Sequence, residues 1–140
     1  MDFYIEQTIH AAPEQVARVM FDPAREAEWM AHGAAEQLTP GPLNVGSRIQ
    51  HSAGVHGWPA AFVTEVRSFE PDRRLELEVV DSARRGTIVY QVVPTAGGSI
   101  ATMHVRDDEH GPRPVSTWAR KQQAQENLHR LANLVTHGHI

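Results

Sequence analysis

The stretch VSTWARKQQAQENLHRLANLVT, residues 115–136, decides how this chain folds, because it alone has the length and pattern of a helix of several turns. Ala124, Leu128, Leu131 and Val135 recur at three- and four-residue intervals and fall on one face, whereas Arg120, Lys121, Glu126 and Arg130 fall largely elsewhere. Pro114 and Ser116 supply entry signals, and Gly138 supplies a left-handed exit. Toward its start the stripe turns polar, with Gln122 and Gln125 at turns where a plain core helix would carry leucine. A face half apolar and half polar suits the wall of a cavity, so the helix predicts a ligand-holding domain.

Outward from this helix the chain reads as strands and turns. Phe3, Ile5, Gln7 and Ile9 alternate with polar residues, the two-residue period of a strand with one face inward. Ala12-Pro13-Glu14 opens a short helix that buries Val16, Val19 and Met20, and Asp22-Pro23 caps a second one ending near Trp29 and Met30. Gln37 to Thr39 and Ser47 to Ser52 are candidate short strands. Phe62, Thr64 and Val66, then Leu75, Leu77 and Val79, alternate on either side of the turn Glu70-Pro71-Asp72, which makes a hairpin. Thr87 to Val93 and Ser99 to Arg106 flank the tight turn Gly97-Gly98. Successive hairpins imply an antiparallel meander whose inner face the terminal helix covers, an α+β fold.

The totals narrow the functional classes. A chain of 140 residues that is 41% hydrophobic and 21% charged is one ordinary domain, residues 1–140, with a core that needs no metal or disulfide. The net charge of -4, with acids and bases interspersed and few aromatics, argues against a nucleic-acid surface. No apolar run approaches a membrane span, and Met1-Asp2-Phe3-Tyr4 lacks the regions of a secretory signal, so a cytoplasmic location is expected. The absence of cysteine removes disulfides, thiolate catalysis and Cys-type zinc sites.

The order of elements resembles the START-like helix-grip (SRPBCC) superfamily, and local residues agree. They are Ile9-His10-Ala11-Ala12-Pro13-Glu14-Gln15-Val16, Phe21-Asp22-Pro23-Ala24 leading to Trp29, Gly41-Pro42-Leu43-Asn44-Val45-Gly46-Ser47, Val63-Thr64-Glu65-Val66 and Glu70-Pro71-Asp72-Arg73-Arg74-Leu75. Within that superfamily they are similar to the small bacterial proteins called polyketide cyclase/dehydrase or lipid-transport-like. The resemblance spans nearly the whole chain. It implies a curved sheet of six or seven strands gripping the terminal helix around an apolar cavity, with two short helices after strand one. Members bind lipids, aromatic polyketides or other hydrophobic molecules, and some catalyse. No motif here permits the polar residues of known cyclases to be carried over one by one.

A hydrophobic pocket needs apolar walls and a few aimed polar groups. Trp29 and Met30, where the superfamily's cavity mouth would lie, are read either as core or as ligand contacts, and Trp58 either caps the mouth or anchors its loop. Phe62, Leu77 and Met103 fall on inward parities and would line the cavity. Trp118 is read as core. Tyr90 is expected to point inward with Ile88 and Val92, whereas His104 opposes the inner set Ser99, Ala101, Met103 and Val105 and so reads as surface. Arg48 and His51 could meet a carboxylate or enolate oxygen, and Gln122 and Gln125 could orient a ligand.

Nine histidines invite a metal reading, but His51 and His56 merely flank a glycine turn, and His110, His137 and His139 fall in polar or terminal segments. No metal and no cofactor are expected. Asp107, Asp108 and Glu109 read as a solvated turn. Three functions remain: binding of a small hydrophobic or lipid-like molecule; a cyclase, aromatase or dehydratase that would use Tyr90, His51 or His104 as acid or base; and an interaction module resembling the superfamily's chaperone activators. Self-pairing as a homodimer is a candidate assembly.

Overall fold

The computed structural model describes residues 2–31, 33–108 and 117–137. Seven strands, β1 (Asp2–Ile9), β2 (Ala35–Gln37), β3 (Arg48–His51), β4 (Phe62–Glu70), β5 (Arg74–Asp81), β6 (Gly86–Thr95) and β7 (Gly98–Asp107), form one sheet. Among the described residues three α-helices accompany the sheet: α1 (Pro13–Met20), α2 (Glu26–Trp29) and α3 (Thr117–His137). The strand order is β1-β7-β6-β5-β4-β3-β2, all antiparallel, so the first strand closes against the last and the rest is a meander. This is a helix-grip arrangement, a curved antiparallel sheet with a long C-terminal helix.

Local chemistry accounts for the elements. Pro13 opens α1, and the Gln15 side chain accepts from the Ala12 N–H at 3.2 Å, satisfying one of the donors a helix start leaves bare. Asp22 Oδ1 accepts from the Ala24 N–H at 3.0 Å and starts the 3-10 turn Pro23–Arg25 that leads into α2. The β4–β5 ladder shifts register between Val63 and Thr64 and again between Val66 and Ser68. Bulges of this kind bend and twist a sheet, which is how a seven-stranded sheet curls toward a helix.

The inward parities of the strands are those the two-residue period predicts: Phe3, Ile5 and Ile9; Leu75, Leu77 and Val79; Ile88, Tyr90 and Val92; Ala101, Met103 and Val105 are all buried. α3 lies against β1 and carries α1 and α2 on its flanks. Its buried residues are Arg120, Ala124, Asn127, Leu128, Leu131 and Val135. The apolar part of that face is the expected one, but the polar part is not. Arg120, assigned to the outer side, is buried, whereas Gln122 is exposed and Gln125 half-buried, bonding outward to the Glu6 carbonyl at 3.2 Å. The reason is angular, since two residues along a helix is a turn of roughly 200° and Gln122 therefore opposes Ala124.

Smaller differences have similarly local causes. The short strand expected at Gln37 to Thr39 begins earlier, at Ala35, because its partner His51 pairs with Ala35. Trp118, expected in the core, is 71% exposed. The entry and exit signals Pro114, Ser116 and Gly138, together with Val115, Glu109, His110 and His139, lie outside the described residues. Among the described residues no helix is long and apolar enough to cross a membrane.

Candidate functional site

The segment between β3 and β4 builds the site. It leaves the sheet at His51, turns at Gly54 (φ 92), makes the 3-10 turn Val55–Gly57, and re-enters at Phe62. Gly54 N–H bonds to the Trp58 carbonyl at 2.7 Å, and Trp58 N–H to the Val55 carbonyl at 3.1 Å, so the loop closes on itself. His56 sits at its apex with φ 52, and Gly57 follows with φ 85. Left-handed backbone is natural for glycine and uncommon for histidine, so the turn holds His56 in a conformation that the surrounding packing must enforce.

His56 is 7% exposed, and its Nε2 lies 2.7 Å from the Tyr90 hydroxyl of β6. Burial pushes its imidazole down to about 3, with the electrostatic influence of His51 adding to the fall, so His56 is neutral at ordinary pH. Burial likewise lifts the Tyr90 phenol well above 10, the nearby Glu26 contributing second. The ring of Tyr90 meets Trp29 edge-on at 5.9 Å on another side. Two buried nitrogens of this group, His56 Nδ1 and Trp29 Nε1, have no hydrogen-bond partner among the described residues.

A second buried polar group lies on β3 and α2. His51 Nδ1 is 3.0 Å from Glu26 Oε2, its Nε2 is 2.9 Å from Thr64 Oγ1, and its ring stacks on Phe62 at 4.8 Å. Both ring nitrogens are therefore engaged. The hollow beside His51 and Tyr90 has room for only about 10 Å³, roughly one water. Trp29, Phe62, Leu77, Met103, Leu128 and Leu131, each no more than 1% exposed, fill the space between sheet and helix.

A cleft of about 510 Å³ lies between the β3–β4 loop, the end of α2 and the first turns of α3. That size is in the range of small-molecule sites. Met30, Val55, Trp58 and Ala124 make its apolar wall, and His56, Arg120 and Asn127 bring polar groups to it. Arg120 Nη1 is 3.3 Å from the buried carboxylate of Asp107, which Arg84 approaches to 3.9 Å. Arg84 also donates to the Gly57 carbonyl at 3.0 Å and accepts from Trp58 Nε1 through its own carbonyl at 3.0 Å, so the loop is tied to the β5–β6 turn. Asn127 Oδ1 accepts from Ala31 N–H at 3.1 Å, fixing the chain after α2.

The sequence-level candidates thus divide. The structure brings Trp58 and Met30 to the cleft and packs Trp29, Phe62, Leu77, Tyr90 and Met103 into the core behind it. Arg48, His104 and Gln122 are elsewhere. Arg48 and His51 cannot share a face, because three residues apart on a strand points them oppositely: His51 is buried, and Arg48 is exposed and paired with Glu65 at 3.2 Å. His104 faces outward and meets Asp2 Oδ1 at 2.6 Å, away from any interior chemistry. Gln122 and Gln125 line a separate outer groove with Gln7, His129 and Asn133. Sequence reasoning missed His56, Arg120 and Asn127 as lining groups; the available signal was the pair of glycines around His56 and the phase of the helix counted from Ala124. Among the described residues no three or more His, Asp or Glu come together as a metal cluster.

Comparison with solved structures returns proteins of the same fold. The chain is similar to protein CV1439 from Chromobacterium violaceum, with 21% identity, 96% of each chain covered and a TM-score of 0.72. It is also similar to the Aha1 dimer from Colwellia psychrerythraea, at 14% identity, 99% and 98% coverage and a TM-score of 0.73. DynU16, a protein of the dynemicin biosynthetic locus, matches at 18% identity and a TM-score of 0.69, with 98% of this chain and 48% of that one covered. No curated protein matches the chain. The family model described as polyketide cyclase / dehydrase and lipid transport matches residues 2–136. With that match over almost its whole length, the chain belongs to the polyketide cyclase/dehydrase and lipid transport family.

Proposed function

We propose that this protein binds a small hydrophobic molecule in the cleft between the β3–β4 loop and the start of α3. The observation that carries this reading is the cleft itself, about 510 Å³ with an apolar wall and a few polar groups. The family's description, which includes lipid transport, supports the same class of ligand. Burial of the ligand against the apolar wall of the cleft supplies affinity.

Acid-base chemistry is less well served. A general base works best with a pKa near the operating pH, and His56 at about 3 is a poor one at neutrality. His51 has both nitrogens occupied and does not line the cleft. Binding therefore ranks ahead of a cyclase or dehydratase activity. A cytoplasmic location and pairing into a homodimer belong to this proposal, the second supported by the likeness to the Aha1 dimer.

The test is the mass of the gently purified protein in the native state against its mass after denaturation. A difference identifies a carried molecule, and Ala119→Trp, at a half-buried lining position, should abolish it while the protein stays folded. A carried molecule that survives Ala119→Trp lies outside this cleft.

A further inference from the structure

We infer that the cleft contains a carbonyl-recognising subsite, in which Nδ1–H of His56 donates a hydrogen bond to a neutral acceptor, a ketone, ester or amide oxygen, on the bound molecule. The inference rests on the binding reading above and specifies the ligand's polar end.

Four observations converge on it. His56 lines the cleft, and its Nδ1 is buried without a partner among the described residues, which is a cost that proteins rarely leave unanswered. Its other nitrogen is occupied by Tyr90 at 2.7 Å, the sole hydrogen bond of that hydroxyl among the described residues. The Tyr90 phenol keeps its proton, and among the described residues that proton has one acceptor within reach, His56 Nε2. A neutral imidazole that accepts at Nε2 carries its hydrogen on Nδ1, so the orphan atom is a donor. Finally, the backbone of His56 is held left-handed between Gly54 and Gly57, a local strain typical of residues positioned for a task. Because His56 is neutral it offers a dipole and no charge, which favours a carbonyl over a carboxylate.

Tyr90 is the positioning residue of this subsite, since its hydroxyl selects the tautomer. Met30, Val55 and Trp58 would hold the hydrocarbon part beside it.

The experiment compares acetylnaphthalene with ethylnaphthalene, two probes of nearly the same shape that differ in the carbonyl oxygen. Fluorescence titration of the full chain should show the ketone binding about tenfold tighter, the worth of one well-made hydrogen bond. His56→Phe should bring that ratio to about one while the hydrocarbon still binds. A proton-nitrogen NMR spectrum of the unmodified protein provides a readout independent of that variant's folding: the proton sits on Nδ1 of His56, and its resonance moves with the ketone and not with the hydrocarbon. Equal affinities, a proton on Nε2 instead, or a ratio that persists in His56→Phe would each overturn the inference and leave binding intact. If neither probe binds, the binding reading falls together with it.

Discussion

Glu26 Oε2 and His51 Nδ1 lie 3.0 Å apart with their side chains 6% and 2% exposed, so a four-residue helix is joined to the sheet by a hydrogen bond inside the protein. Thr64 completes the chain on the other side of the ring at 2.9 Å. Removing one partner from such a pair strands the other without solvent, whereas replacing both by apolar groups does not.

Glu26→Ala should therefore destabilise the fold by about 1–3 kcal/mol in urea titration, the cost of leaving a buried hydrogen-bonding group without its partner. The double replacement Glu26→Leu with His51→Phe should recover much of that loss. A single-variant cost below about 1 kcal/mol, the range of an exposed pair, would show that the two groups are solvated.

The pH dependence of stability follows from His56. Its folded pKa, about 3, is below the value of 6.5 that the unfolded chain takes, so between these limits the unfolded state binds a proton the folded state refuses. Stability from this group is present above pH 6.5 and is lost as pH falls toward 3, by at most about 1.4 kcal/mol per pH unit. His56→Gln should flatten the curve in that window relative to the unmodified chain, the other histidines contributing equally to both. Identical slopes in parallel denaturation series would mean that His56 titrates alike in both states.

The phase of α3 separates two residues of similar apparent promise. Leu128, fully buried, should cost about 2–5 kcal/mol as Leu128→Ala, whereas the exposed Gln122 should shift stability by no more than about 0.5 kcal/mol as Gln122→Ala. Thermal unfolding of both variants checks this. A large loss for Gln122→Ala would restore it to an inward role.

What could be read from the sequence is what periodicity encodes. Leu75, Leu77 and Val79 announce their face because the strand period is two, and the same holds for Ile88, Tyr90 and Val92. On α3 the leucines give the stripe, but its polar members mislead: Arg120 is buried because Asp107 neutralises it, and Asp107 arrives from the end of β7. Local pattern has no means of showing that partner. Arg48 and His51 were separable by parity alone, because a strand that buries His51 must expose Arg48. His56 is the clearest case of the reverse. In sequence it is one histidine between glycines in a loop, and its burial depends on Tyr90, 34 residues further on.

Gly57 tests the joint between loop and helix. A Cβ there would meet Arg120 Nε at 2.6 Å and Cδ at 2.7 Å, and the backbone φ of +85 disfavours any L side chain. A free arginine on the surface would swing away, but this one is 4% exposed and seated on Asp107 at 3.3 Å. Gly57→Ala therefore meets two obstacles, local strain of about 1–3 kcal/mol and displacement of a buried guanidinium. The two can be separated by a double-mutant cycle with Arg120→Ala, which removes the clash and leaves the strain. The combined variant should lose measurably less stability than the sum of the single losses, with a coupling of at least about 0.5 kcal/mol by urea denaturation. Strict additivity would mean that Arg120 is not packed on Gly57. The β3–β4 loop would then be held by Arg84, Trp58 and the His56–Tyr90 bond, and a substitution at Arg84 or Trp58 should loosen it instead.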